Sequence, residues 1–371
     1  MISSGQCLKS EDRKLHISGS VMDRVLDCAD NAPIMDTSLS DNIENAENIM
    51  IIADCVIDVP AWDKLAGICG SKLKYIISGG IPEKYDKFKL VIDKNSGAGF
   101  KYFGANAGVA PILLHESIFE CDLIIVLSCI KPDPFGNLRD ALSSLYISLS
   151  HSKSLSEVIK NALSESLAND DKENFGFQIG DFLYKSIREA VITAGKYLKT
   201  FAVNISMTDS GNMQIFCGDI FMSRMEALKD GAADDNEKIY DGAELHISCG
   251  SISDFVSEIE RACRKIVKGG RLAVIPENTA FFGNDDFKQA FQCNSLYDMA
   301  YSVNQENHIE IFYAFVLKYC ALNRHIAMVC DEAIEKDVIQ AGLNPIRKED
   351  CADFLKNCRN IGIIDEFGTA K

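Results

Sequence analysis

The chain has one tryptophan and eight prolines in 371 residues, and its six histidines lie far apart, with no H-x3-H or H-E-x-x-H pair. The helical zinc-hydrolase class therefore has no support. Fourteen cysteines are present, yet none forms a Cys-x2-Cys pair of the kind used by zinc ribbons and thioredoxin-like sites. Many stand in apolar runs, such as Cys55, Cys121, Cys129, Cys320 and Cys330, which is the setting of buried, reduced thiols acting as small hydrophobes. No P-loop, no G-x-S-x-G elbow and no G-x-G-x-x-G fingerprint occurs. An uncharged apolar run of about 18 residues is also missing, so no membrane span is expected. The opening MISSGQCLKSEDRK lacks the apolar core of a signal peptide, which points to the cytoplasm. Positive charge is short as well: 38 Lys+Arg face 54 Asp+Glu, for a net charge of -16, the wrong sign for a phosphate-backbone binder. Nucleic acid is not an expected partner; a small molecule is.

What is present reads as an ordinary globular chain, 47% apolar and 25% charged. Its length is roughly twice that of a usual single domain. Short β-rich runs alternate with helical stretches, the pattern of mostly parallel sheets covered by helices, so the fold class is α/β with two domains joined by helices. Strands are expected at residues 49–54, 73–78, 89–93 and 122–128. Helices are expected at 58–69, 109–120, 155–167 and 179–198. An acidic, aperiodic stretch, DGAADDNEKIYD, covers residues 230–241 and marks the boundary between a first domain, 1–232, and a second, 233–371. In the second, strands are expected at 244–249, 271–276 and 325–330. Helices are expected at 255–267, with Gly269–Gly270 as its stop signal, and at 285–291, 309–321 and 350–358.

Open α/β sheets hold ligands at the C-terminal ends of their strands, which singles out four loops. Asp54 ends the first strand, and Asp58 after it suits the N-cap of the next helix. Gly79 and Gly80 follow the second strand and permit close approach of backbone N–H groups to an anion, or simply a tight turn. The stiff loop KPDPFGNLR follows the strand at 122–128 and offers the Asp133 carboxylate and the Arg139 guanidinium, which suits a carboxylate or phosphate clamp as well as a salt bridge. Glu277 and Asn278 follow the strand at 271–276, with Asn284 or Asp285 as a cap for the helix beyond. His151, in SLSHSKS, has the most polar setting of the histidines.

Taken in order, these segments resemble the nickel-pincer-nucleotide lactate racemase family of 2-hydroxyacid racemases and epimerases. IIADCVIDVP is similar to that family's D-x-T-R-P-x-P strand end, YIISGGIPEK to its G-T-H loop, and FGANAGVAPILLHESIFECDLIIVLSCIKPDPFG to the stretch reaching I-E-P-H. FAVNISMTDSGNMQIFCGD resembles its N-V-V…G-x-I…A-G-D segment, and DGAELHISCGS with ERACRKIVKGGRLAVIPENTAFFGND resembles the strand–helix–strand of its second domain. The resemblance spans nearly the whole chain and implies a lactate-racemase-like fold. It also implies isomerase chemistry on a lysine-tethered pyridinium nucleotide carrying nickel, with two histidines alternating as base and acid and a third on the metal.

The matched positions depart from that pattern. Asp54 and Pro60 are kept, but Val56 and Ile57 stand for the Thr and the substrate-clamping Arg, and neither can hold a carboxylate. Ile81 stands for one catalytic His and Asp133 for the other. Asp140 falls where the anchoring Lys belongs, His151 near the nickel-ligand region, and Asp254 and Ser257 at the Gln and Lys of the second-domain helix. The reading that follows is a divergent member that binds a small 2-hydroxyacid or nucleotide-like ligand in the interdomain cleft, with the standard hydride-transfer site largely lost. Asp133 and Asp54 are its candidate catalytic groups, Gly79, Gly80, Arg139, Glu277 and Asn278 its candidate ligand contacts, and His151 its candidate metal ligand; the cofactor is unknown. An active nickel-dependent racemase or epimerase, and a non-catalytic interaction subunit pairing with its own copies or an intact paralogue, are the alternatives.

Overall fold

The computed structural model describes residues 16–31, 38–106, 110–135, 137–168, 175–195, 197–207, 213–229, 240–248, 251–279 and 285–364. The chain begins with β1 (His16–Ile17), α1 (Gly19–Asn31) and α2 (Leu39–Glu44), then β2 (Ile49–Asp54), β3 (Val56–Ile57), α3 (Val59–Cys69) and β4 (Leu73–Ser78). Asp58 caps α3 as expected, its carboxylate accepting the Ala61 N–H at 2.7 Å. A hairpin of β5 (Phe100–Asn106) and β6 (Ala110–His115) precedes β7 (Leu123–Cys129), and a second, small hairpin pairs β8 (Lys131–Asp133) with β9 (Asn137–Arg139). Helices α4 (Ala141–Leu149), α5 (Ser152–Ala168) and α6 (Phe175–Ala194) lead to β10 (Thr200–Met207), β11 (Met213–Gly218) and α7 (Ile220–Lys229).

The first sheet has the order β11-β10-β7-β2-β4, parallel throughout except for the β10–β11 pair. Its central strands are apolar at nearly every position because both faces are covered. The period of two divides them cleanly. Met50, Ile52, Ile124 and Val126 pack with Leu142, Leu145 and Ile187 on one face. Ile49, Ile51, Ile125 and Leu127 pack with Met22, Trp62 and Leu65 on the other.

The second half runs β12 (Tyr240–Ile247), α8 (Ile252–Lys265), β13 (Ile266–Pro276), α9 (Asp285–Ala290), α10 (Leu296–Ser302), α11 (His308–Asn323), β14 (His325–Val329), α12 (Glu335–Gln340), β15 (Asn344–Ile346), α13 (Cys351–Leu355) and β16 (Ile361–Ile364). Its sheet, β15-β14-β13-β12-β16, is wholly parallel. The expected boundary at 232/233 lies outside the described residues. The two halves are not separate cores: α5 packs against α10 and α11, and one apolar cluster continues from Leu145 and Ile159 to Phe255, Phe312 and Phe315. Among the described residues no helix is long and apolar enough to cross a membrane.

Three expected elements differ. The helix at 109–120 is β6 followed by a 3-10 turn, Glu116–Glu120, because the apolar run pairs with β5 instead of lying on a sheet face. The strand at 89–93 reduces to a single bridge from Lys89 to Ile76, leaving Val91 exposed. Gly269–Gly270 does not stop a helix but lies inside β13. Gly269 has φ +75, and a Cβ on Gly270 would come within 2.8 Å of the Asp241 carbonyl oxygen, so the pair lets β13 kink against β12.

Phe312 of α11 is wholly buried and meets Phe135 of the first half edge-on, centroids 5.5 Å apart. Phe312→Ala should cost about 3–5 kcal/mol in urea unfolding monitored by circular dichroism. A loss under about 1 kcal/mol would mean the joined core relaxes around the gap.

Candidate functional site

Three adjacent parallel strands of the first sheet end in one polar register line. Asp54 of β2 lies opposite Ser128 of β7, and Ser128 lies opposite Asn204 of β10. Ser128 and Asn204 are fully buried, and the start of α4 satisfies them. Ser144 Oγ donates to Asp54 at 3.0 Å and lies 3.2 Å from Ser128 Oγ. Asn204 accepts the Ala141 N–H at 2.8 Å and donates to Ser223 Oγ at 3.0 Å. A helix N-terminus above strand ends is a ready anion site. Here the chain supplies the anion itself. Asp140 caps α4, accepting the Ser143 N–H at 2.9 Å, and pairs with Arg224 of α7, both side chains being buried. The Arg224 guanidinium also lies 4.3 Å from the Tyr184 ring centroid.

Beside this line, the β8–β9 hairpin turns through Asn137, whose φ of +68 is a conformation asparagine tolerates better than most residues. The hairpin brings Asp133 and Arg139 together at 2.9 Å. Asp133 is buried and also accepts the Phe135 N–H at 2.7 Å and the Tyr313 hydroxyl at 3.2 and 3.3 Å. Burial raises its carboxyl above the ordinary range, against the pull of Arg139 and the Phe135 N–H. Burial, with the Asp133 charge next, pushes the Tyr313 phenol far upward, so it stays protonated and donates.

The other face of Arg139 reaches Asp254 of α8 at 3.3 Å, and Lys131 pairs with the same carboxylate oxygen. Ser251 Oγ donates to the second Asp254 oxygen at 2.8 Å. Burial tends to raise the Asp254 carboxyl, but Lys131 and Arg139 outweigh it and hold it below the usual range. Asp54 also acts electrostatically on Arg139. Asp54, Asp133, Arg139, Lys131 and Asp254 thus form one group of three carboxylates and two cations that ties the first half to the second.

The other sequence candidates stand elsewhere. Gly79 and Gly80 are exposed after β4, with the Gly80 N–H near Ser78 Oγ at 3.4 Å. Glu277 and Asn278 are exposed after β13, the Glu277 N–H donating to the Ile247 carbonyl at 2.8 Å. Asn284 lies outside the described residues. His151 is buried at the start of α5, where Nδ1 accepts the Lys153 N–H at 2.9 Å and the ring sits edge-on to Phe100 at 4.7 Å. Burial, then Lys153, lowers its pKa, which keeps the imidazole neutral. Among the described residues no group of three or more His, Cys, Asp or Glu side chains is placed to hold a metal ion. Sequence reasoning missed Lys131, Arg224 and Tyr313. Tyr313 sits in an apolar helical run, and Arg224 has no motif around it, so only the fold reveals them.

No protein-family model matches the chain, and no curated protein matches it in sequence. Among solved structures, the lactate racemase apoprotein from Thermoanaerobacterium thermosaccharolyticum is similar, with a TM-score of 0.69 and 17% identity over 95% of this chain and 92% of that one. A protein from Thermotoga maritima is similar with a TM-score of 0.57 and 11% identity over 100% of this chain and 99% of its own. The fold is therefore lactate-racemase-like, α/β with mostly parallel sheets.

Asp254→Asn should destabilise the protein by about 1 kcal/mol at pH 6, because Lys131 loses its carboxylate partner and Arg139 keeps only Asp133. A carboxyl held low when folded contributes stability above its unfolded pKa, near 4, and loses it as pH falls through the lower folded value. The gap between wild type and variant in urea titrations should be full at pH 6 and shrink near pH 3. A gap that does not change with pH would contradict the assignment.

Proposed function

We propose that this chain is a divergent lactate-racemase-like protein that takes a small 2-hydroxyacid or nucleotide-like ligand at its strand-end cleft and does not run nickel-dependent hydride transfer. The observation that supports this reading is Asp140. At the position the resemblance gives to the cofactor-anchoring lysine stands a wholly buried carboxylate that caps α4 and pairs with Arg224. A carboxylate so held is no nucleophile for tethering a pyridinium nucleotide, and its charge partner, Arg224, belongs to the fold.

The remaining matched positions point the same way. Ile81 and Ile57 cannot exchange a proton or clamp a carboxylate, and Asp133 is committed to Arg139 and Tyr313. His151 spends Nδ1 on the backbone. The residues present do not fit the nickel-pincer group, and no step is assigned through it. Any carboxylate ligand reaching Arg139 and Lys131 has to compete with Asp254, which makes Asp54 and the rim of the β8–β9 hairpin the accessible part of the cleft.

Protein expressed in cells that also make the pincer cofactor should show an intact mass equal to the 40.9 kDa polypeptide and no stoichiometric nickel. Thermal shift with lactate enantiomers and nucleotides should show saturable binding that Arg139→Gln weakens. An adduct of nucleotide size with bound nickel would overturn the proposal, as would lactate racemisation by the purified protein.

A further inference from the structure

At the opposite end of the first sheet, three aromatic rings from three separate elements gather at the surface. Phe103 of β5 and Phe119 of the 3-10 turn at 116–120 stack with centroids 5.3 Å apart and planes 8° apart. Tyr197, in the turn between α6 and β10, stands edge-on to both at 5.7 and 5.6 Å. Phe119 is 45% exposed and Tyr197 57%, so this packing does not bury them. An open cavity of about 400 Å³ adjoins the rings, lined among others by Ile118, Phe119, Asp122, Tyr197, Leu198 and Lys199. That volume lies within the range of small-ligand sites, about 300–1,000 Å³.

The polar groups of this cavity are unequal. The Asp122 carboxylate accepts the Glu47 and Asn48 N–H groups at 3.0 and 2.9 Å, both on Oδ2, and so fixes the entry to β2. Lys199 is exposed, and its ammonium has no hydrogen bond or ion pair among the described residues. Lys101, 4.7 Å from the Phe119 ring centroid, adds a second positive charge nearby and pairs with Glu116 at 3.5 Å. Stacking and Lys101 engage Phe119, which leaves the Tyr197 ring as the more open surface.

We propose that this cavity is a second binding site, for a planar aromatic anion whose ring lies on Tyr197 and whose acid group meets Lys199. Apolar ring faces beside an uncommitted cation select for that combination: the rings favour a flat partner, and the ammonium favours a carboxylate, sulfonate or phosphate over an amine. Asp122 and Lys199 directly precede β7 and β10, whereas the strand-end cleft follows those strands. The seven residues of β7 put about 20 Å between the two regions. The proposal therefore stands or falls independently of the function assigned to the cleft.

The test uses the full chain and anthranilate, a fluorescent aromatic carboxylate, with benzylamine and acetate as comparators. Anthranilate should bind saturably, about fivefold more weakly to Tyr197→Ala and about tenfold more weakly to Lys199→Gln. Benzylamine and acetate should not displace it. Both substituted residues are exposed, and an unchanged melting temperature shows that the variants are folded. Three results would overturn the proposal: no saturable binding, affinity unchanged from wild type in both variants, or preference for benzylamine. A wild-type dimer in analytical ultracentrifugation that Tyr197→Ala turns into a monomer would also overturn it, making the patch a contact between copies.

Discussion

Arg139 stands between two carboxylates from different halves of the chain, and the strand-end region depends on one guanidinium keeping both within reach. Asp133 holds it from its own hairpin, and Asp254 reaches it from the first turn of α8. Tyr313 closes the assembly by donating to Asp133 from α11. The two contacts differ in kind. Asp133 is nearly removed from water, so the loss of Arg139 would leave a desolvated charge without its partner. Asp254 is partly wetted and shares Lys131, so its attraction is screened. Geometry more than energy is what this second contact contributes: it keeps α8 beside the hairpin while the apolar cluster through Phe135 and Phe312 supplies the larger stabilisation.

The same logic governs the line from Asp54 through Ser128 to Asn204. A parallel sheet normally leaves its C-terminal edge for ligands, because helix N-termini and open backbone groups gather there. In this chain the α4 N-terminus is met from within, its N–H groups accepted by Asp140 and Asn204. Groups that elsewhere would greet a ligand are spent on holding a helix over the sheet. The fold is shared with a lactate racemase apoprotein, and a shared fold does not carry a reaction with it.

Much of the scaffold was legible in the sequence. β2 and β7 lie at 49–54 and 123–129, close to the expected 49–54 and 122–128, since a central parallel strand announces itself as an unbroken apolar run. The hairpin of β5 and β6 was not legible, because a short apolar run pairs equally well with a strand or a helix face until its partner is known. Asp54, Asp133 and Arg139 were legible as strand-end residues, and the fold does gather them. Their partners were not. Asp254 lies 115 residues from Arg139 and Tyr313 180 from Asp133, and no local pattern records a contact over such separations. Arg224 hid in the same way, an ordinary charged residue of a short helix whose role depends on where α7 crosses α4.

The most direct measure of the account is a double-mutant cycle between Arg139→Gln and Asp254→Asn, read by urea unfolding at pH 6. If these side chains serve to join the two halves, the cycle should give a coupling energy of about 0.5–1 kcal/mol at low salt that shrinks as salt is added. A coupling indistinguishable from zero would mean that the strand-end charges do not depend on one another, and that the cleft is free to serve a ligand in the way the family resemblance first implied.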